Sequence, residues 1–170
     1  MKYRKLGRTG LKVSVIGIGG GAFKDRSKSS ALVKEIIKFG YENGINLIET
    51  AEDYGEEKIA PAIKDIRDEI VLISKSFSPS KKEMKKSVRN SLKKLKTNYI
   101  DIYMLHTVNS IDGLKFLIKE GSLEALKDAR KRGLIGYIGV SGHRVPVLIE
   151  AIKTNEFDVV EVPYLSLIHI

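Results

Sequence analysis

Six short apolar runs rich in β-branched residues alternate with longer amphipathic ones, and this alternation constrains the fold more than any other feature of the chain. The runs are Val13–Gly19, Asn46–Glu49, Ile70–Lys75, Ile100–His106, Ile135–Val140 and Val159–Val162. Helical periodicity fills the intervals near residues 29–43, 56–66, 80–96, 122–132 and 144–154, several of them closed by a glycine such as Gly44 or Gly133. Strands separated by helices pair in parallel, so the expected class is α/β, a parallel sheet covered by helices. With 170 residues, 42% of them hydrophobic, the chain has enough apolar material for one domain with a real core and is short for two. Ahead of the first run, Lys2–Leu6 and Leu11–Val13 flank Gly7-Arg8-Thr9-Gly10, which reads as a small hairpin capping one end of the sheet. Thr107–Gly121 is the longest stretch without periodicity and follows a strand, so it is expected to be a functional loop.

Charge narrows the partners without choosing one. Thirty Lys and Arg against 21 Asp and Glu give a net charge of +9, which favours an anionic partner such as a phosphorylated small molecule, an acidic membrane or nucleic acid. The densest basic block, Lys81 to Lys96, carries Met84, Val88, Leu92 and Leu95 at helical spacing. No aromatic residue interleaves the bases, so the block reads as the solvated back of a helix packed on a sheet, not as a nucleic-acid surface. The absence of Cys excludes disulfides, a thiolate zinc site and a Cys-ligated iron–sulfur cluster within this chain. No apolar run reaches the roughly 18 residues of a membrane span, and Met1–Lys5 leads into no signal-peptide core, so no membrane partner and a cytoplasmic location are expected.

Ligands of parallel α/β sheets sit beyond the carboxyl ends of the strands. There the sequence places one polar residue after another: Glu49 with Asp53 and Tyr54 beyond it, Ser74-Lys75, His106, Ser141-Gly142-His143, and Glu161. If the sheet curls, Glu49, Tyr54, Lys75 and His106 share one pocket that combines a carboxylate, a phenol, a cation and an imidazole. That combination suits protonation of an oxygen. A neighbouring ammonium favours phenolate, so Lys75 is expected to lower the Tyr54 pKa from about 10 and make it a usable acid. Glu49 would keep Lys75 charged and oriented, and a neutral His106 could hydrogen-bond a substrate carbonyl oxygen. A competing reading starts from Gly17-Ile18-Gly19-Gly20-Gly21-Ala22, which fits G-x-G-x-x-A after an apolar strand with acidic Glu49 ending the next, a Rossmann-type NAD-binding fingerprint. Against it, Phe23–Lys28 separates the glycines from the next helix. Both readings imply a nicotinamide cofactor.

At these residues the sequence resembles the aldo-keto reductase family. The resemblance runs from Tyr3 to Tyr164 and is carried by Lys5–Ser14, Gly44-Ile45-Asn46 with Glu49–Gly55, Ile73-Ser74-Lys75, Tyr99–His106 and Ile138–Arg144. It implies a (β/α)₈ TIM barrel that reduces aldehyde or ketone carbonyls with NADPH, with no metal. The family's catalytic Asp, Tyr, Lys and His fall on Glu49, Tyr54, Lys75 and His106, which implies hydride transfer to the carbonyl carbon with Tyr54 as proton donor. Ser141, Gly142 and Glu161 match positions that contact the nicotinamide carboxamide, although Asn is common at the position of Gly142 and Gln at that of Glu161. Gly20 and Gly21 match a loop beside the cofactor. Ser141-Gly142-His143-Arg144 is similar to a branch whose members often add a C-terminal ferredoxin-like segment.

Two departures shape the expectations. Glu49 replaces the usual Asp and adds a methylene, so its pairing with Lys75 must be re-aimed. A TIM barrel takes about 250 residues, whereas this sequence reaches only the sixth strand of eight. Residues 1–170 are therefore expected to be a single reductase domain, truncated at the C-terminus, with Leu165–Ile170 departing from the family pattern. The alternative to a carbonyl reductase is a catalytically silent fragment or associating subunit; the expected partner of the reductase is a small-molecule carbonyl substrate.

Overall fold

The computed structural model describes residues 1–25 and 27–164; the unusual Leu165–Ile170 segment lies outside the described residues. The chain begins with an antiparallel hairpin, β1 (Tyr3–Lys5) and β2 (Lys12–Ser14), paired Tyr3 to Ser14 and Lys5 to Lys12. Gly10, at φ +72°, supplies the left-handed residue that turns the chain back. Then follow β3 (Ile18–Gly19), α1 (Ser30–Glu42), β4 (Leu47–Glu49), α2 (Glu56–Ile63), β5 (Val71–Ser76), α3 (Lys81–Leu95) and β6 (Ile100–Leu105). Two helices, α4 (Ile111–Lys119) and α5 (Ser122–Lys131), precede β7 (Ile135–Ser141), and α6 (Val145–Lys153) leads to β8 (Val159–Glu161).

β3 to β8 form one six-stranded sheet in sequence order, every neighbouring pair parallel. A doubly wound Rossmann sheet reverses its strand order at a switch point, and this sheet has no reversal, so the Rossmann reading is wrong. The glycine run misleads because Gly20–Lys24 forms a 3₁₀ turn packed on Glu49 instead of opening a helix. The sheet is curled. β5 and β8 are three strands apart, about 14 Å in a flat sheet, yet Lys75 of β5 and Glu161 of β8 meet at 2.8 Å. This is the half-barrel of a TIM-barrel fold with a hairpin cap.

Strand parity explains both the core and the site. Successive side chains of a strand face opposite ways, so in β5 Leu72 points outward to the helices while Val71, Ile73 and Lys75 point inward. The outward set packs with the inner stripes of the helices, Val33, Ile37, Ile59, Met84, Val88, Leu126 and Leu148, into the larger core. The inward set, Val71, Ile73, Ile102, Met104 and Val159, packs on Val13, Leu6 and Leu11 of the hairpin and its turn. Tyr137 of β7 clasps that plug by donating its hydroxyl to the Thr9 carbonyl at 2.6 Å. The hairpin thus fills the amino-terminal end of the curl and leaves the carboxyl ends of the strands to polar chemistry.

Two expectations from sequence differ here. Val13 and Ser14 belong to the hairpin and not to the first parallel strand, because Ser14 turns the chain by exchanging hydrogen bonds with Asn46: its amide donates to Oδ1 at 2.7 Å and its Oγ accepts from the Asn46 amide at 3.1 Å. The stretch 107–121 is not an open loop, since Ser110 caps α4 by accepting from the Gly113 amide at 3.0 Å. The basic helix α3 carries Met84, Val88 and Leu95 inward, and its Lys81 and Lys85 pair with Glu124 and Asp128 of α5. Part of its charge is therefore internal to the fold. Among the described residues no helix is long and apolar enough to cross a membrane.

Candidate active site

Glu49, Lys75 and Glu161 share the inward parity of Leu47, Ile73 and Val159, and the curl brings their ends together. Lys75 Nζ, with a side chain only 2% exposed, contacts Glu49 Oε1 on one side and lies 2.8 Å from Glu161 Oε1 on the other. The extra methylene of Glu49 thus still reaches the lysine. Tyr54, on the turn after β4, has its hydroxyl 3.4 Å from His106 Nε2 and its ring 5.6 Å from the Lys75 ammonium. The structure brings together all four residues that the strand-end pattern singled out. Among the described hydrogen bonds the Tyr54 hydroxyl meets His106 and not Lys75.

The electrostatics differ from expectation at Tyr54. Burial, with repulsion from Glu49, Asp53 and Glu161, raises the phenol above its ordinary value despite the opposing field of Lys75. The expected lowering fails first because burial disfavours the charged phenolate, and second because Lys75 already faces two carboxylates that offset part of its field. Burial also pushes the Glu49 carboxyl up, against the pull of Lys75. At Lys75 burial favours the neutral amine, but Glu49 and Glu161 outweigh it and hold the ammonium firmly protonated.

His106 is 8% exposed and pushed down to about 4 by burial and then by Lys75. Its Nδ1 is buried with no partner among the described residues, so the ring's hydrogen bonding runs through Nε2. One pH prediction follows from the sign of this shift. Between about 6.5, the value of an unfolded histidine, and the folded value of about 4, the unfolded chain binds a proton that the fold refuses. His106 therefore makes stability fall as pH drops through that window. Ring nitrogen NMR should find His106 neutral at about pH 5.5; titration near the ordinary histidine value would contradict this.

The remaining strand-end residues frame this centre. A Cβ on buried Gly20 would come 2.7 Å from the Glu49 carbonyl oxygen, and one on Gly21 would lie 3.7 Å from the Tyr54 ring, so these glycines let the turn after β3 press on the site. Ser141 of β7 is paired in register with Glu161. Its Oγ accepts from the Thr107 amide at 3.0 Å, and Gly142 donates its amide to the Glu161 carbonyl at 3.2 Å. A Cβ on Gly142 would sit 2.4 Å from the Val108 carbonyl oxygen, which explains why glycine stands there. Ser141 Oγ, which donates weakly to the Leu105 carbonyl at 3.4 Å, and the Glu161 carboxylate therefore sit on adjacent strand ends, a hydroxyl beside an acceptor, the pair of groups that a primary carboxamide would meet.

Sequence reasoning missed several neighbours. Phe77 stacks on His106 at 4.1 Å between ring centroids, and with Val108, Asn109, Phe116 and Leu117 the two line a cleft of about 400 Å³. Phe77 is held by a hydroxyl chain from Ser76 through Ser78 and Ser87 to Glu52, with Glu52 Oε1 accepting the Phe77 amide at 3.1 Å. The apolar pattern of α4 was the available signal for Phe116; nothing local to the sequence marks Phe77. Larger clefts lie elsewhere, one of about 440 Å³ bordered by Arg67, Lys96 and Tyr99 and one of about 660 Å³ along Lys82, Lys86 and Arg89 of α3. Neither borders Tyr54.

This arrangement has relatives. A family model described as the aldo/keto reductase family matches residues 15–169. The chain is 32% identical to the uncharacterized oxidoreductase YqkF of Bacillus subtilis, over 91% of this chain and 53% of that protein. It is also 32% identical to the NAD/NADP-dependent indole-3-acetaldehyde reductase of Schizosaccharomyces pombe, over 85% of this chain and 52% of that one. The holo form of the aldo-keto reductase AKR11C1 from Bacillus halodurans superposes with a TM-score of 0.84 at 31% identity, covering 96% of this chain and 58% of the other. The chain spans about half the length of the curated relatives it matches. Sheet order, strand-end chemistry and a family match along most of its length agree: the chain belongs to the aldo/keto reductase family.

Proposed function

We propose that residues 1–170 form a single reductase domain that carries the proton-donating centre of an NADPH-dependent reductase of small aldehydes or ketones. The observation that supports this best is the convergence of Tyr54 and His106 Nε2, 3.4 Å apart, beside a buried ammonium held by Glu49. When bound, NADPH supplies the hydride that the carbonyl carbon receives. Ser141, Gly142 and Glu161, with the backbone at Gly20 and Gly21, would hold its nicotinamide end.

The chain's own groups do the rest. A carbonyl oxygen set between the Tyr54 hydroxyl and His106 Nε2 is held by a neutral imidazole, which orients it without competing as an acid. As negative charge develops on that oxygen, Tyr54 gives up its proton, the alcohol forms, and the resulting phenolate is left facing the Lys75 ammonium. Glu49 keeps Lys75 oriented through the cycle. Phe77 stacks on the His106 ring and covers one of its faces.

The direct test supplies the protein with NADPH and a panel of small aldehydes and ketones. The expected result is alcohol in equal amount to the NADPH consumed. Cofactor consumption without alcohol would contradict the reading; no turnover of any carbonyl would contradict it and favour a silent associating chain.

A further inference from the structure

We propose that Glu161 is a positioning residue for this centre: reaching from β8 to β5, its carboxylate holds the Lys75 ammonium away from the Tyr54 hydroxyl, and Lys75 can act on the phenol only when Glu161 is neutralised or drawn off. The inference rests on the proposed role of Tyr54 as acid and adds to it a group that governs that acid.

The geometry carries it. Lys75 has one ammonium and two carboxylate partners, Glu49 and, at 2.8 Å, Glu161. It lies 5.6 Å from the centre of the Tyr54 ring, while the hydroxyl itself is turned to His106. Glu49 already gives the ammonium one ion-pair partner, and Glu161 adds a second pull on it from the β8 side. The two differ in exposure, since the Glu161 side chain is 41% exposed and that of Glu49 20%. Glu161 is thus the partner that can be taken from Lys75 at little cost. A carboxylate accepts and cannot donate, so what removes Glu161 is an N–H donor brought to the end of β8, where Ser141 also stands.

Other charges face the phenol from every side and remain in place. Glu49 comes from β4, Asp53 from the following turn with its charge met by Lys24 at 2.6 Å, Lys75 from β5 and neutral His106 from β6. Glu52, beyond Asp53, is engaged by Ser87 and the Phe77 amide. Glu161 is the partly exposed member of the set that touches Lys75.

The test titrates Tyr54 in protein carrying carbon-13 at tyrosine Cζ, its resonance identified among the seven tyrosines by its loss in Tyr54→Phe. In Glu161→Gln, nearly isosteric and partly exposed, the phenolate-to-phenol ratio of Tyr54 at a fixed alkaline pH should rise about tenfold, a fall of about one pH unit in its midpoint. In a Lys75→Met background the same substitution should shift the ratio by less than half as much on the logarithmic scale; Lys75→Gln serves if the methionine variant does not fold. An unchanged ratio in Glu161→Gln overturns the proposal. So does an equal rise with and without Lys75, which would make Glu161 a simple direct repulsion. Neither readout needs turnover, so loss of the reductase reading and loss of this inference are separate results.

Discussion

Replacing Tyr54 by phenylalanine should lower carbonyl reduction by roughly a hundred- to ten-thousandfold, the range that a positioned general acid contributes. The substitution removes one oxygen, and that oxygen's described partner is His106 at 3.4 Å, so the fold has little to lose. Thermal melting should be near that of the parent chain while kcat collapses and cofactor affinity stays the same. An interaction made only in the transition state lowers kcat and kcat/KM together, which separates the loss of an acid from the loss of a binding contact. Turnover within a fewfold of the parent would remove Tyr54 from the role of proton donor and leave His106 to be considered in its place.

Lys75→Met should be the most destabilising substitution in the site, by about 3–5 kcal/mol in urea unfolding at neutral pH, because it removes the cation from between two carboxylates. Methionine matches the volume of the lysine stem, so the loss reports charge and not a cavity. The pH dependence gives the cause away. Glu49 is already pushed upward by burial against the pull of Lys75. Without Lys75 it holds a proton in the fold at a pH where the unfolded chain does not, so the variant's deficit should be constant above the folded value and shrink as pH falls below it toward the unfolded value. A deficit below about 1 kcal/mol that does not change with pH would contradict the role of Lys75 as the charge that both carboxylates need.

Much of this site is legible in the sequence because strand parity is local. Glu49 follows Leu47 by two positions and Lys75 follows Ile73 by two, so once the runs are read as parallel strands their side chains must face the same way as those apolar neighbours. The sequential pairing of strands then brings them to one end of the sheet. Features that depend on curvature are not local. Lys75 and Glu161 are 86 residues apart and meet because the sheet curls, which no period in the sequence reports. The failed expectation for Tyr54 has the same origin, since the burial that raises the phenol, with smaller additions from Glu49, Asp53 and Glu161, comes from the assembled fold.

The errors in secondary structure also have particular causes. α4 escapes notice because its exposed face carries Ile111, Phe116 and Ile118 while Leu114 alone is buried, which blurs the polar and apolar alternation of an ordinary surface helix. The run from Val13 to Gly19 is apolar enough for one strand, yet it serves two sheets, and the exchange of hydrogen bonds between Ser14 and Asn46 divides it. The glycines after it satisfy a dinucleotide spacing while packing for another reason, contact with Glu49 and Tyr54.

The central claim is that Tyr54, and not His106, delivers the proton, and the pH dependence of kcat for carbonyl reduction tests it most directly. With His106 pushed down to about 4 and Tyr54 left as the acid, the profile should be flat from about pH 5 to 8 and fall only on an alkaline limb set by the phenol. A profile that instead falls as pH rises through about 6.5 would show a titrating imidazole to be the acid and contradict the account.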